Sequence, residues 1–240
     1  MIIEGRNAVL EALRGEVTVE KVLLLKDAQN LNAKAVVSLC RDKKIPVQFV
    51  EKYALDRLSN TGDHRGFIAV TTDFSYSELS DLTVKNGKKS RLLILLDGLE
   101  DPHNFGAIIR VADCAGADGI VIPRRRNCGV TDTVVKVSSG AASHVKVAKV
   151  ANLNDAIREL KEDGYTVLAA DMDGDSIYST DLRGDLAIVI GGEGNGVHQL
   201  TKKLCDGVVA LPQKGKVNSL NASVACGIIL YECVRQRGDR

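Results

Sequence analysis

No apolar run in the 240 residues approaches the ~20 that a membrane-spanning helix needs. The opening MIIEGRNAVLEAL lacks a basic stretch followed by an apolar core, so no secretory signal is expected. The six cysteines (Cys40, Cys114, Cys128, Cys205, Cys226, Cys233) form no C-x-x-C pair and have no histidine at metal-ligand spacing. Several stand in apolar runs, where cysteine behaves as a small hydrophobe. These absences predict a reduced, cytoplasmic protein with no disulfide framework, no metal site and no membrane segment. Excess charge is missing too. The net charge of +1 argues against a generally basic coat protein and confines any nucleic-acid contact to local patches. There is no G-x-G-x-x-G opening a helix after the first strand, no Walker A loop, no internal repeat and no low-complexity tract.

What is present suits an ordinary globular chain, 45% hydrophobic and 26% charged, long enough for one large domain or two small ones. The first 75 residues alternate strand and helix signals. Helices are expected at Asn7–Leu13, Ala33–Lys43 and Tyr53–Leu58, and strands at Lys21–Leu25, Pro46–Val50 and Gly66–Thr72. From Asp73 to Ser90 the rhythm is lost and the composition turns polar, with Asn86-Gly87 as a turn signal. A boundary near residue 85 follows: a small α/β domain at 1–75, a linker at 76–90 and a larger α/β domain at 91–240. In the larger domain, apolar strands are expected at Leu92–Leu96, Gly119–Ile122, Val145–Val147, Thr166–Ala170, Ala187–Ile190 and Val208–Leu211. They predict a parallel sheet covered on both faces. The expected helices are Phe105–Ala115, Asp132–Gly140 (with Gly140 as its stop), Leu153–Glu162 and Ala222–Val234.

Three of these strands, Leu92–Leu96, Ala187–Ile190 and Val208–Leu211, empty into loops of small and polar residues. Strand ends converging on one crevice are where open α/β sheets bind ligands. Individual residues in the loops admit plain readings. Asn104, at the mouth of a helix, suits an N-cap. Arg110, on an otherwise apolar helix, suits a partly buried ion pair or a snorkelling surface residue, although its fork also fits a phosphate or a developing oxyanion. Glu193 suits a tie from carboxylate to backbone amides, Asn221 a cap on the closing helix, and Ser219 a turn. The run Gly191-Gly192-Glu193-Gly194-Asn195-Gly196 reads equally as a strand-to-helix turn. His64, His103, His144 and His198 carry no assigned role.

Taken together, three ordered motifs resemble those of the SpoU family, S-adenosylmethionine-dependent RNA 2′-O-ribose methyltransferases of the SPOUT superfamily. They are Asn104-x-Gly106-x-x-x-Arg110, Gly192-Glu193-Gly194-x-Gly196, and Leu211-Pro212 … Gly215 … Ser219-Leu220-Asn221-Ala222-Ser223. The match spans roughly residues 91–236, and the spacing of all three fits. The resemblance implies an α/β trefoil-knot (SPOUT) domain behind a small α/β RNA-binding domain. More weakly, Gly5-Arg6-Asn7-Ala8-Val9-x-x-Ala12-Leu13 and His64-Arg65-Gly66 are similar to the substrate-binding domain of the bacterial subgroup that modifies a guanosine of large-subunit ribosomal RNA. That subgroup usually has Gln where this chain has Arg65.

The resemblance further implies S-adenosylmethionine as cofactor, with Gly191, Gly192, Leu211 and Leu220 around it and Ala169 and Ala170 lining the same cleft. Asn104, Arg110, Glu193, Ser219 and Asn221 become the catalytic set around the ribose oxygen. A guanidinium is a poor general base at neutral pH, so the expected task of Arg110 is to hold phosphate and stabilise charge on that oxygen. Arg124–Arg126, Lys214 with Lys216, and Arg235 with Arg237 are candidate phosphate contacts. The expected partners are RNA, foremost large-subunit ribosomal RNA, and a second copy of the chain packed through the closing helix. Two rivals stand beside this reading: the same chemistry on transfer RNA, and a non-catalytic RNA-binding or ribosome-assembly factor.

Overall fold

The computed structural model describes residues 1–14, 18–26, 31–72, 74–84, 87, 90–194, 196–216 and 219–238. It divides into two compact units, one of residues 1–75 with 129–132 and one of residues 76–128 with 133–240.

The first unit has strands β1 (Ile2–Glu4), β2 (Val19–Leu25), β3 (Val47–Val50) and β4 (Phe67–Thr71), and helices α1 (Arg6–Arg14), α2 (Leu31–Asp42) and α3 (Lys52–Leu58). Its sheet runs β1-β4-β2-β3, with β4 antiparallel to both neighbours and β2 parallel to β3. Alternate β2 residues face opposite ways. Val22 and Leu24 pack with α1 and α2, whereas Leu23 packs with Leu55 of α3. The three-residue strand β1 was not foreseen; a segment so short carries no periodicity.

In the second unit α4 (Leu79–Thr83) and β5 (Leu92–Asp97) lead into α5 (Pro102–Cys114), β6 (Gly119–Pro123) and α6 (Asp132–Val137). Then follow β7 (Val147–Val150), α7 (Leu153–Glu162), β8 (Thr166–Ser176), β9 (Leu186–Gly191), α8 (Gln199–Leu204), β10 (Gly207–Ala210) and α9 (Ala222–Arg237). The six strands form a wholly parallel sheet in the order β10-β8-β9-β5-β6-β7. All of β5 is buried, as are the first five residues of β9, which is why both read as unbroken apolar runs. Leu93, Leu95, Ala187 and Val189 face a cluster that includes Leu153, Ile157 and Leu160 of α7, while α5 and α9 pack on each other.

Several expectations need correction. Residues 76–84 are not linker: Ser77 bridges Ala148, and α4 buries Leu79 and Leu82 in the second unit's core. A capping box between Glu78 and Asp81 starts that helix. Asn86 of the expected turn lies outside the described residues. The helix expected at Asp132–Gly140 stops at Val137, and Gly140, at φ +94°, instead opens a 3-10 turn at Ala141–Ser143. Strand β7 lies at Val147–Val150 rather than Val145–Val147, and β8 runs on past Ala170 to Ser176. The β8 extension is bulged against β10, with Val208 opposite Ala169 and Val209 opposite Asp175. Gly174 makes that approach possible, since a Cβ there would lie 2.5 Å from the Val208 carbonyl. All six cysteines are free thiols; burial pushes Cys226 and Cys128 up to about 12, consistent with apolar packing residues.

Arg91, just before β5, is 3% exposed. Its guanidinium pairs with Asp185 at 2.7 Å and lies 4.6 Å from the Tyr165 ring centroid. Arg91→Ala removes the guanidinium from a largely buried carboxylate. It should cost about 3 kcal/mol and lower the melting temperature by about 10 °C, read by calorimetry.

Candidate active site

The parallel sheet brings the C-terminal ends of β10, β8, β9 and β5 side by side. Three of these ends, those of β5, β9 and β10, release the loops singled out in the sequence.

After β5, the turn begins at Gly98 (φ +81°) and is pinned to the next loop: Asn127 Oδ1 accepts from Leu99 N at 2.9 Å, and Leu99 O accepts from Cys128 N at 2.7 Å. Helix α5 is then capped by Asp101, whose Oδ1 accepts from His103 N at 2.9 Å, with Pro102 at the first helical position. Asn104 is therefore not the cap. It sits within the first turn, 7% exposed, and its side chain is left for other work. Gly106 lets α5 approach α6, for a Cβ there would lie 2.7 Å from Val137 Cβ.

After β9 the backbone is compressed. A Cβ on Gly192 would lie 1.9 Å from the Gly98 carbonyl oxygen, and one on Gly191 would lie 2.1 Å from the Gly196 carbonyl carbon. Gly192 and Gly196 bridge each other, turning the intervening residues into a tight loop with Glu193 on it. Asn195 lies outside the described residues. After β10, Leu211 is half-buried, Ser219 is exposed and Leu220 is 44% exposed. Val217 and Asn218 lie outside the described residues. Asn221 caps α9, its Oδ1 accepting from Ser223 N at 2.9 Å and Val224 N at 3.3 Å.

Three of the five expected catalytic side chains meet. Asn104 Nδ2 donates to Glu193 Oε1 at 2.6 Å, and Asn221 Nδ2 donates to Asn104 Oδ1 at 2.9 Å. Among the described residues, the bond shown to Glu193 comes from a side chain, that of Asn104. The expected cap role of Asn221 is present, and the same amide also reaches Asn104. Because Asn221 Oδ1 accepts from α9, its Nδ2 must face Asn104, which fixes the Asn104 amide with its Nδ2 toward the carboxylate. Glu193 Oε2 remains beyond this chain of bonds. Arg110 is not part of it: the residue is exposed, and its Nη1 donates to Ser139 Oγ at 3.4 Å. Among the described residues, no hydrogen bond joins Ser219 to it.

One feature missed in the sequence braces the same loops. Lys202 on α8 pairs with Asp171 at 2.7 Å and Asp173 at 3.1 Å. Burial opposes its charge, but the two carboxylates outweigh it and raise its pKa. Asp171 in turn packs beneath Gly196, with Oδ2 3.0 Å from where a Cβ would stand.

In the first unit the two weaker motifs also meet. Gly5 N donates to Phe67 O at 3.0 Å, beside His64-Arg65-Gly66. His64, 5% exposed, accepts from Gly66 N at Nδ1 (3.0 Å), so its Nε2 carries the proton toward Asp56 at 2.9 Å. It is a structural histidine. Arg65 takes φ +50° and pairs with Asp63. Glu4 accepts from Ser59 Oγ, Asn60 N and Thr61, and these bonds, Ser59 first, hold its pKa near 2, well below the carboxylate range.

The glycine geometry is testable. Gly192→Ala should destabilise the chain by about 2 kcal/mol or more, because backbone rather than a flexible side chain must yield. Gly215→Ala, which meets open space, should stay within about 0.5 kcal/mol in the same urea titration.

Residues 91–231 match the SpoU rRNA Methylase family, and residues 2–77 match the family described as RNA 2'-O ribose methyltransferase substrate binding. A Bacillus subtilis (strain 168) protein named "Putative TrmH family tRNA/rRNA methyltransferase YacO" is 42% identical over 236 residues, covering 97% of this chain and 94% of that protein. A Staphylococcus aureus (strain COL) relative with the same family designation is 40% identical over 242 residues, covering 99% and 97%. Among solved structures, the SpoU methyltransferase AviRb from Streptomyces viridochromogenes, in complex with AdoMet, aligns with a TM-score of 0.64 at 24% identity, covering 100% of this chain and 91% of that one. The A. aeolicus TrmH/SpoU tRNA modifying enzyme aligns with a TM-score of 0.58 at 28% identity, covering 67% and 81%.

Proposed function

We propose, from the premise that this chain belongs to the SpoU/TrmH family of RNA methyltransferases, that it methylates a ribose 2′-hydroxyl of RNA, on a guanosine of large-subunit ribosomal RNA. The observation that carries this reading is the chain of bonds Asn221–Asn104–Glu193 at the mouth of the parallel sheet.

The residues present fit S-adenosylmethionine. Gly191 and Gly192 keep the floor free of side chains, and a Cβ on Gly194 or Gly215 would meet open space. Ala170, Leu211 and Leu220 offer an apolar lining for an adenine. When bound, the cofactor supplies an electrophilic methyl group. Around it the chain's own groups orient the ribose and handle its proton. Glu193, with one oxygen held by Asn104, has the other available to accept the hydroxyl proton. Arg110, exposed on α5, holds phosphate and stabilises charge on the oxygen, and Ser219 serves the same ribose. The first unit binds RNA, as its family match suggests. The enzyme works in the cytoplasm.

A homodimer fits the surface of α9. Val224, Ile228 and Tyr231 recur along one stripe at 50%, 37% and 53% exposure. An apolar stripe of this kind is covered by a second copy meeting it through the same face. Tyr231→Asp should shift the protein toward monomer in sedimentation velocity; an unchanged sedimentation coefficient at micromolar concentration contradicts the interface.

The experiment for the reaction is transfer of labelled methyl to separated ribosomal and transfer RNA, with nucleotide mapping. Label on a guanosine ribose of large-subunit RNA is expected, with Glu193→Gln and Arg110→Ala each lower by about a hundredfold. Arg110→Lys near wild type would remove the bidentate role. Label on transfer RNA would move the substrate, as the name of the A. aeolicus neighbour illustrates. No label and no cofactor binding would leave an assembly factor. Neutralising Arg124–Arg126 should flatten the salt dependence of RNA affinity by about two units of log–log slope.

A further inference from the structure

Asp97 closes β5 and has no part in the sequence motifs above. It is 8% exposed, and two hydrogen bonds and one close ion-pair contact converge on it. Its carbonyl oxygen accepts from Gly192 N at 3.0 Å. Its Oδ2 accepts from His198 N at 3.0 Å, and its Oδ1 lies 2.9 Å from His198 Nδ1. Gly192 and His198 are the two feet of the loop that carries Glu193. Both feet therefore stand on one residue, and that residue also begins the run through Gly98 and Asp101 into α5 and Asn104.

We propose that Asp97 and His198 form a positioning clamp that keeps Glu193 in register with Asn104. This rests on the reading of Glu193 as a group that meets the ribose. The carboxylate meets both the backbone N and the ring Nδ1 of His198, so the ring and the backbone of His198 are fixed together. Gly98 belongs to the device, since a Cβ there would lie 3.3 Å from His198 Cε1 and press the ring away. The far side is anchored too. Lys202 N donates to His198 O at 2.9 Å as α8 begins, and Lys202 Nζ reaches Asp171 of β8. The loop is thus held from β5 and from β8, and its tip is the part left to face Asn104.

His198 acts through the loop and not on substrate. Leu93 and Leu95 face α7, so Asp97, two residues on, shares that face, and His198 leads into α8 on the same side. Asn104 and Asn221 belong to α5 and α9, which pack together elsewhere on the sheet.

The test uses the full chain with His198→Ala, His198→Asn and Asp97→Ala. The asparagine amide nitrogen at 198 can stand where Nδ1 stands, whereas Asp97→Ala removes the acceptor altogether. Two readouts are taken: amide hydrogen exchange across residues 192–198 in the protein alone, and kcat with KM for cofactor and RNA. His198→Ala and Asp97→Ala should each speed exchange by about tenfold and lower kcat by about tenfold, with cofactor KM within about twofold. His198→Asn should return both to within about threefold of wild type. The proposal is overturned if exchange is unchanged in His198→Ala, or if exchange rises while kcat does not. It is equally overturned if His198→Asn has normal exchange yet kcat as low as His198→Ala, which would give the ring's Nε2 a direct role. Should the wild-type protein methylate no RNA, the proposed function fails, and the exchange readout still decides whether the clamp holds the loop.

Discussion

The amide of Asn104 joins segments that lie far apart in the chain. It donates to a residue 89 positions later and accepts from one 117 positions later. An amide can do this because it carries a donor and an acceptor in one rigid plane. A carboxylate could not donate, and an alkyl group could do neither. The orientation is settled from outside the pair: α9 needs an acceptor at its N-terminus, Asn221 supplies one, and the remaining Asn221 donor then dictates which way Asn104 faces. A helix cap is in this way coupled to the loop holding Glu193.

For that bond to form, three loops must come close, and the fold is arranged to permit it. The parallel order β10-β8-β9-β5 puts their exits on one edge. Glycines at 98, 191, 192 and 196 remove the side chains that would keep the backbones apart, with Gly192 under the tightest limit. Asp97 and the Lys202–Asp171 pair then hold the loop so formed. Apolar burial fixes the strands, and a small number of charged and amide groups fix the loops relative to one another. Neither set suffices alone, because a parallel sheet without the braces leaves Glu193 on an untethered turn.

Much of this was legible in the sequence, for identifiable reasons. Strands β5 and β9 are buried on both faces and so appear as apolar runs, and α7 shows Leu153, Ala156, Ile157 and Leu160 at helical spacing. The glycine-rich motifs marked the loops, because close backbone approach leaves few alternatives to glycine. Short elements were not legible. Helix α8 has six residues, α4 has five and β1 has three, and their stability comes from tertiary packing rather than from pattern. The β8 extension DMDGDS is polar and bulged, so it reads as loop. The Asn104 cap reading failed although the sequence held the better answer: Asp101 followed by Pro102 is the stronger start signal. The pair Asp97–His198 could not be seen at all, since its members are 101 residues apart.

The most direct test of this account is a double-mutant cycle on methyl transfer with Asn104→Ala, Glu193→Gln and both together. If Asn104 serves the reaction through Glu193, the double variant should be no slower than the worse single one, a coupling of about 1.5 kcal/mol or more in kcat/KM. Losses that simply add would mean that the two side chains act independently, and the junction at the mouth of the sheet would then be a packing feature and not the organiser of the site.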